Sequence, residues 1–287
     1  MRAKAKNVTN DDIRSYYTHS AFDYRVAWMN GQNLAMHFGY QEDNTTGHSA
    51  SLMNATEVIA DIAQVREGDR VLDAGCGLGG GSLWLAKNRA ARVIGIALGA
   101  DQVKIARAEA RRRSVSRRPQ FLVADFTNLP FCERRFDVVW AQESLCHAMD
   151  KFAFFSEAAR VLTSGGRLVV ADFMLRRRLT NGSEQKLIEE WFDGWKLPGL
   201  WTAGEHANAA HAAGFSDVHI RDVTRYTLPS HRRLYQRARR AMPLAALLRL
   251  AGFRNRILNG NFVAALRQYQ TLRKDCWFYG ILSARRS

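Results

Sequence analysis

Val71-Leu72-Asp73-Ala74-Gly75-Cys76-Gly77-Leu78-Gly79-Gly80-Gly81 is the stretch on which the reading of this chain turns. Val71 and Leu72 suit a strand buried on both faces, and Asp73 puts a carboxylate at its carboxyl end. Gly75, Gly77 and Gly79 then let the backbone turn sharply and approach a ligand without interference from a Cβ. Ser82-Leu83-Trp84-Leu85-Ala86 opens the next helix. A strand, a glycine turn and a helix in this order mark the ligand-binding edge of a nucleotide-type α/β sheet. By itself the pattern also fits the dinucleotide fingerprint, so it leaves the cofactor open.

The segments that follow narrow the choice. Arg92-Val93-Ile94-Gly95-Ile96 reads as a second strand, at whose tip a dinucleotide enzyme would carry an acid for the ribose. Here the tip runs Ala97-Leu98-Gly99-Ala100-Asp101-Gln102, and Gln102 opens a helix through Val103, Ile105 and Ala106. Phe121-Leu122-Val123-Ala124 is a third strand ending at Asp125-Phe126, where a carboxylate can accept a hydrogen bond from an adenine amino group. Phe136-Asp137-Val138-Val139-Trp140-Ala141 is a fourth, running into Gln142-Glu143-Ser144-Leu145-Cys146-His147. A helix over Phe152–Val161 leads through Gly165-Gly166 into a fifth strand, Arg167–Asp172.

With these motifs in order, residues from about 10 to 230 resemble the class I S-adenosylmethionine-dependent methyltransferases. The Ile96–Gln102 segment is similar to the threonine-leucine-serine-x-x-glutamine motif of tocopherol, cyclopropane-fatty-acid and isoprenoid-diphosphate methyltransferases, with Ala97 and Gly99 where threonine and serine are usual. Glu143-Ser-Leu-Cys-His147-Ala148 resembles a glutamate-to-histidine segment of sterol methyltransferases. So does the amino-terminal run of Tyr16-Tyr17, Tyr24, Trp28 and His37-Phe38-Gly39, whereas Tyr269 and Trp277-Phe278-Tyr279-Gly280 look like the tail of tocopherol methyltransferases. The resemblance implies S-adenosylmethionine as cofactor, S-adenosylhomocysteine as by-product, and a lipophilic small molecule as acceptor. A magnesium ion is implied only if that acceptor is a diphosphate.

Composition agrees. A length of 287 residues with 47% hydrophobic residues suffices for one α/β domain with embellishments. Cys76, Cys132, Cys146 and Cys276 form neither a metal-ligand spacing nor a disulfide framework, which suits a reducing, cytoplasmic setting. No apolar run approaches the length that spans a bilayer. The net charge of +15 is unusual. Nucleic acid is a poor match, since the basic runs lie outside any reading module. The interleaved arginines and leucines of 231–256 suit peripheral contact with an anionic membrane, a bound acidic substrate would need such arginines, and a merely solvated basic face accounts for them equally.

The fold expected is a Rossmann-like, seven-stranded, mostly parallel sheet with helices on both faces. Residues 1–60 form a helical lid, 61–175 the cofactor-binding core, and 176–287 a cap insertion after the fifth strand plus final strands and a basic segment. Asp217–Val223 and Phe278–Ala284 read as the final antiparallel strands. A lid at 1–40 closing over a second copy would make a homo-oligomer.

The cofactor-binding candidates are Asp73, Gly75, Gly77, Gly79, Leu98, Gln102, Asp125, Phe126 and Gln142. Substrate-binding candidates are Tyr16, Tyr24, His37, Trp191 and Trp195. No metal ligand is expected. Glu143 is the candidate base, with His147 one helical turn on and Tyr17 in the lid. The first expectation is C-methylation of an isoprenoid or terpenoid alkene, whose carbocation aromatic faces stabilise and whose proton passes to Glu143. Alternatives are N- or O-methylation of an amine, phenol or quinone-like ring, a catalytically inactive membrane-associated scaffold, and a nicotinamide enzyme. An apolar, aromatic pocket around Glu143 would favour the alkene, and a second convergent base would favour a heteroatom.

Overall fold

The computed structural model describes residues 8–28, 33–113, 115, 117–179, 182–250 and 256–287, with side chains at 21–23, 25–27, 244–250 and 256–259 left aside. The leucines at 244, 247, 248 and 250, on which the membrane reading of 231–256 partly rests, fall outside the described side chains. Among the described residues no helix is long and apolar enough to cross a membrane.

Helices α1 (Asn10–Ala27) and α2 (Gly47–Ile62) precede the sheet. Then follow β1 (Arg70–Ala74), α3 (Gly80–Asn88), β2 (Arg92–Ala97), α4 (Ala100–Arg112), β3 (Gln120–Val123), β4 (Phe136–Gln142), a 3-10 turn at Leu145–His147, α5 (Lys151–Val161) and β5 (Leu162–Leu175). The remainder runs α6 (Gly182–Trp195), α7 (Ala203–Ala212), β6 (Phe215–Asp222), α8 (Thr224–Leu250), α9 (Arg256–Arg273) and β7 (Trp277–Arg286). The strand order is β3-β2-β1-β4-β5-β7-β6, parallel except for β7, which is antiparallel to both its neighbours. The expected seven-stranded, mostly parallel sheet is therefore present.

Alternation along each strand supplies the two faces. Val71, Val138, Trp140, Val169, Ala171 and Phe173 pack toward α2, α3, α6 and α9. Leu72, Val139, Ala141, Leu168, Val170 and Met174 pack toward α5 and α7. Burial on both sides is what a parallel sheet needs and why its strands read as continuous apolar runs. Strand order reverses between β1 and β4, and at that point the carboxyl ends of the strands leave a crevice.

Two features depart from the layout expected from the sequence. The α2 helix packs beneath the sheet, with Leu52, Ala55 and Ile59 buried against Val71 and Val169, so in the 1–60 segment the covering parts are α1 and the stretch 33–40. A long helical pair, α8 and α9, stands between β6 and β7, where the expected cap follows only β5. The described start of the basic segment thus becomes part of a cap wall, because Leu234 and Ala238 pack into the same cluster as Trp195 and Ala265.

Candidate active site

The β1 turn is shaped by contacts that exclude side chains. Gly75 has φ +103°, and a Cβ there would lie 2.2 Å from that of Ser144. The Ser144 hydroxyl in turn donates to Ala74 O at 2.6 Å, which stitches the ends of β1 and β4 together. Gly79 caps α3 in the left-handed region, and a Cβ there would meet the Phe121 ring. Its role is close packing, and Gly79 is absent from the cleft wall that Gly75 and Gly77 help form. Asp73 is buried and accepts from Ser82 Oγ at 2.6 Å. Burial raises its carboxyl to about 6, opposed by the Ser82 bonds.

This cleft is also lined by Leu98, Gln102, Phe126 and Gln142. Gln142 Nε2 is buried with no hydrogen-bond partner among the described residues. An orphaned donor of this kind costs about 1–3 kcal/mol unless a ligand satisfies it, so the wall fits a polar cofactor. Asp125 is turned aside: its carboxylate accepts from Thr127 N at 2.8 Å, Thr127 Oγ1 at 2.7 Å and Asn10 Nδ2 at 3.0 Å. Ala124 and Phe126 flank it on the wall.

Helix α1 lies across the cleft. A capping box at Thr9 and Asp12 starts it, and three side chains fasten it. Asn10 reaches Asp125, Arg14 Nε donates to Leu98 O at 3.2 Å, and Tyr17 OH meets His147 Nε2 at 2.9 Å.

Beyond the cleft is a cavity of about 520 Å³ walled by Tyr16, Tyr24, Trp28, Phe38, Phe173, Trp195 and Phe262. Tyr17, Met36, Glu143 and His147 line both spaces and mark their junction. Asn261 organises part of the wall, accepting from Tyr16 OH at 3.2 Å and Trp195 Nε1 at 3.0 Å. Two residues expected in the substrate wall are elsewhere. Trp191 is fully buried behind Trp195, packed on Phe173 and Trp277. His37 lines the glycine-turn cleft instead, its Nδ1 donating to Phe38 O at 3.0 Å.

Glu143 follows β4 with φ +50°, an unfavourable left-handed conformation for a side-chain-bearing residue. That conformation aims its carboxyl at the junction, where Oε1 accepts from Phe38 N at 2.7 Å and Tyr279 OH at 2.8 Å. Burial raises the carboxyl to about 8, with those two bonds opposing and Asp172 adding to the rise. Burial lowers His147 to about 4, so its ring is neutral at physiological pH. His147 Nδ1 faces Lys196 O at 3.4 Å, and a carbonyl only accepts. The proton therefore sits on Nδ1, leaving Nε2 to accept from the Tyr17 hydroxyl. Among the described residues no cluster of three or more His, Cys, Asp or Glu side chains could hold a metal ion.

Met36, Asn261 and Phe262 were not signalled as site residues by the sequence, and neither was Tyr279's bond to Glu143. For α1, the spacing of Ile13, Arg14 and Tyr17 on one helical face is a signal that a heptad reading would have found.

The family model described as "Methyltransferase domain" matches residues 72–170. Over 213 residues the chain is 33% identical to 27-O-demethylrifamycin SV methyltransferase of Amycolatopsis mediterranei, covering 74% of this chain and 77% of that protein. The chain belongs to the S-adenosylmethionine-dependent methyltransferases. This methyltransferase is also 33% identical over 205 residues to 24-methylenesterol C-methyltransferase 2 of Oryza sativa subsp. japonica, covering 71% of the chain and 55% of that protein. Relatives thus include the sterol group that Glu143–Ala148 resembles. Among solved structures, the [4+2]-cyclase SpnF superposes with a TM-score of 0.80 at 26% identity, over 100% of this methyltransferase and 99% of that chain.

Proposed function

We propose that this methyltransferase methylates a hydroxyl oxygen of a lipophilic small molecule seated in the aromatic cavity, with Tyr17 and His147 removing the proton. The observation that carries the reading is the Tyr17–His147 pair, a second proton acceptor that faces the same junction as Glu143. Such a convergent base favours a heteroatom, and the rifamycin relative is named for O-methylation.

When bound, S-adenosylmethionine supplies an activated methyl group on a sulfonium. Asp73, Leu98, Gln102, Phe126 and Gln142 would hold it, with the Gln142 amide donating from the cleft floor. Alignment at the junction and exclusion of water are then the main work of the fold. Helix α1 closes the cleft and brings Tyr17 with it. As the acceptor hydroxyl becomes nucleophilic its proton passes to Tyr17 Oη and the Tyr17 proton passes to His147 Nε2, so Tyr17 does not persist as a tyrosinate and His147 ends as the imidazolium. Burial holds Tyr17 well above its ordinary value, which makes a relay the workable route. Glu143 offers a carboxyl that a nearby cation draws toward its ionised form.

A second reading, C-methylation of an isoprenoid or terpenoid alkene with proton loss to Glu143, is supported by the aromatic walls around that carboxyl and by the sterol relative. The test is turnover of hydroxylated and alkene lipophiles with 13C-methyl-labelled cofactor, following S-adenosylhomocysteine and locating the labelled carbon by NMR. Oxygen-bound label, lost on Tyr17→Phe by about 10²–10⁴-fold in kcat, supports the first reading. Carbon-bound label that depends on Glu143 supports the second, and by-product formation with neither class refutes both.

A further inference from the structure

The run His37-Phe38-Gly39-Tyr40-Gln41 has no regular secondary structure, yet each of its residues is tied down. Trp28 Nε1 donates to His37 O at 3.0 Å, and Tyr40 N donates to Ser51 O at 2.8 Å. Asn54 Nδ2 donates to Tyr40 O at 3.0 Å, and Gln41 N donates to Tyr226 O at 2.9 Å. Gly39 N donates to Ser230 Oγ at 2.9 Å in a buried bond. The amide next to it, Phe38 N, is the one that donates to Glu143 Oε1 at 2.7 Å. Buried backbone groups need partners, and here helices and side chains supply what a sheet would.

The first turns of α8 supply much of that hold. Tyr226 and Ser230, four apart, lie on one face of the helix. The Tyr226 ring stacks on Tyr40 at 4.5 Å, and the buried His231 ring lies 3.8 Å from that of Phe38. On its other side Gly39 backs onto α2, where a Cβ at Gly39 would come within 2.2 Å of Ser51 Oγ. Gly39 is therefore pressed between two helices, and the neighbouring N–H has little freedom to leave Glu143. Further along α8, Leu234 and Ala238 line the cavity, so one helix serves both the cavity wall and the carboxyl.

We propose that Ser230 is a positioning residue for methyl transfer: its hydroxyl fixes Gly39 and so aims the Phe38 N–H at Glu143. This rests on placing the reaction at the Glu143 junction, which both readings above share. A donor held in advance needs no reorganisation when charge develops on the carboxyl. The ionisable groups around Glu143 are Tyr279 from β7, Asp172 from β5, Tyr17 from α1, and Cys146 and His147 from the 3-10 turn, with His231 behind Phe38. Ser230 is uncharged, so an effect of its removal on Glu143 travels through the backbone it holds.

The experiment follows the Glu143 carboxyl by NMR across pH in the full chain labelled with 13C-glutamate, its signal identified by its absence in Glu143→Gln. The Phe38 N–H favours the ionised carboxyl, so weakening that bond favours the neutral form. In Ser230→Ala the titration midpoint is expected to rise by about 0.5–1 pH unit. Ser230→Thr keeps the hydroxyl and should hold the wild-type midpoint. Thr227→Val removes a different buried hydroxyl of α8, one that donates to Thr224 O at 3.3 Å, and should also leave the midpoint in place, whatever it does to the melting temperature. An unmoved midpoint in Ser230→Ala overturns the proposal, and so does the same rise in Thr227→Val or in Ser230→Thr. Should Ser230→Ala not fold, Ser230→Cys carries the same test with a smaller rise expected, because a thiol is a weaker acceptor of similar size. The titration uses neither acceptor nor cofactor, so its failure leaves the junction reading standing. Failure of the labelled-methyl experiment while the rise is observed overturns the junction reading, and the positioning role with it.

Discussion

Replacing Tyr279 by phenylalanine removes one hydroxyl and almost no volume, so it isolates the bond that this residue donates to Glu143 Oε1 at 2.8 Å. Tyr279 is itself buried, and burial together with Glu143 holds its own ionisation well above the ordinary tyrosine value, so it remains a donor across the accessible pH range. Burial places the Glu143 carboxyl at about 8 against an ordinary 4.5. The folded chain therefore holds this proton more tightly than the unfolded chain. Its stabilising contribution is complete below the ordinary value and is lost as pH rises through about 8. Below that pH the hydroxyl meets a neutral carboxyl, a bond worth about 1 kcal/mol, and above it a carboxylate, worth about 1.5–3 kcal/mol. The stability difference between wild type and Tyr279→Phe should consequently widen by about 0.5–2 kcal/mol from about pH 6 to about pH 9. Denaturant unfolding at a series of pH values measures it. A constant difference across that range refutes the reasoning, as does a widening that persists when both chains also carry Glu143→Gln.

Three further outcomes are expected. Gly75→Ala combines a strained φ with a Cβ driven onto Ser144, and should lower stability by at least about 1–3 kcal/mol and weaken S-adenosylhomocysteine binding, checked by thermal unfolding and calorimetry. Gln142→Met keeps the bulk but removes the orphaned donor; it should weaken the cofactor by about tenfold while leaving the melting temperature unchanged or raised, and an unaltered affinity would show that Nε2 faces no ligand. In Asp73→Asn a buried carboxylate loses its charge but keeps its shape, so cofactor affinity should fall at pH above about 6, where Asp73 is ionised, and converge with wild type below it.

The parts of the site that the sequence reveals are those that one strand end carries by itself. Asp73, Gly75, Gly77, Leu98, Gln102, Phe126 and Gln142 lie at or just beyond the carboxyl ends of β1 to β4, and parallel topology brings every such end to one edge. Residues whose role depends on a distant partner do not show it. Tyr279 reaches Glu143 across 136 positions and Tyr16 reaches Asn261 across 245, and no local pattern encodes either bond. Trp191 and Trp195 share a helical face, one turn apart, so periodicity gives both the same reading although only Trp195 borders the cavity. Asp125 has the opposite history, its strand-end position being legible but its carboxylate being taken by Thr127 and Asn10. The arginines of α8 read as surface charge because their neighbours in the cavity, Phe262 and Ala265, arrive only when α9 folds back.

The position of β7 gives the molecule an order of completion. This strand follows every other described element in the chain, yet it slots between β5 and β6 and carries Tyr279 to the carboxyl that the first half of the sheet has already positioned. A ribosome extending the chain at about 5–20 residues per second exposes β1 to β5, with the strand ends that line the cleft, well before that hydroxyl exists. The strand ends that line the crevice are thus synthesised early, while the Glu143 pocket waits for β7, antiparallel to both its neighbours. The Tyr279–Glu143 bond at the junction therefore forms only after the crevice edge has been synthesised.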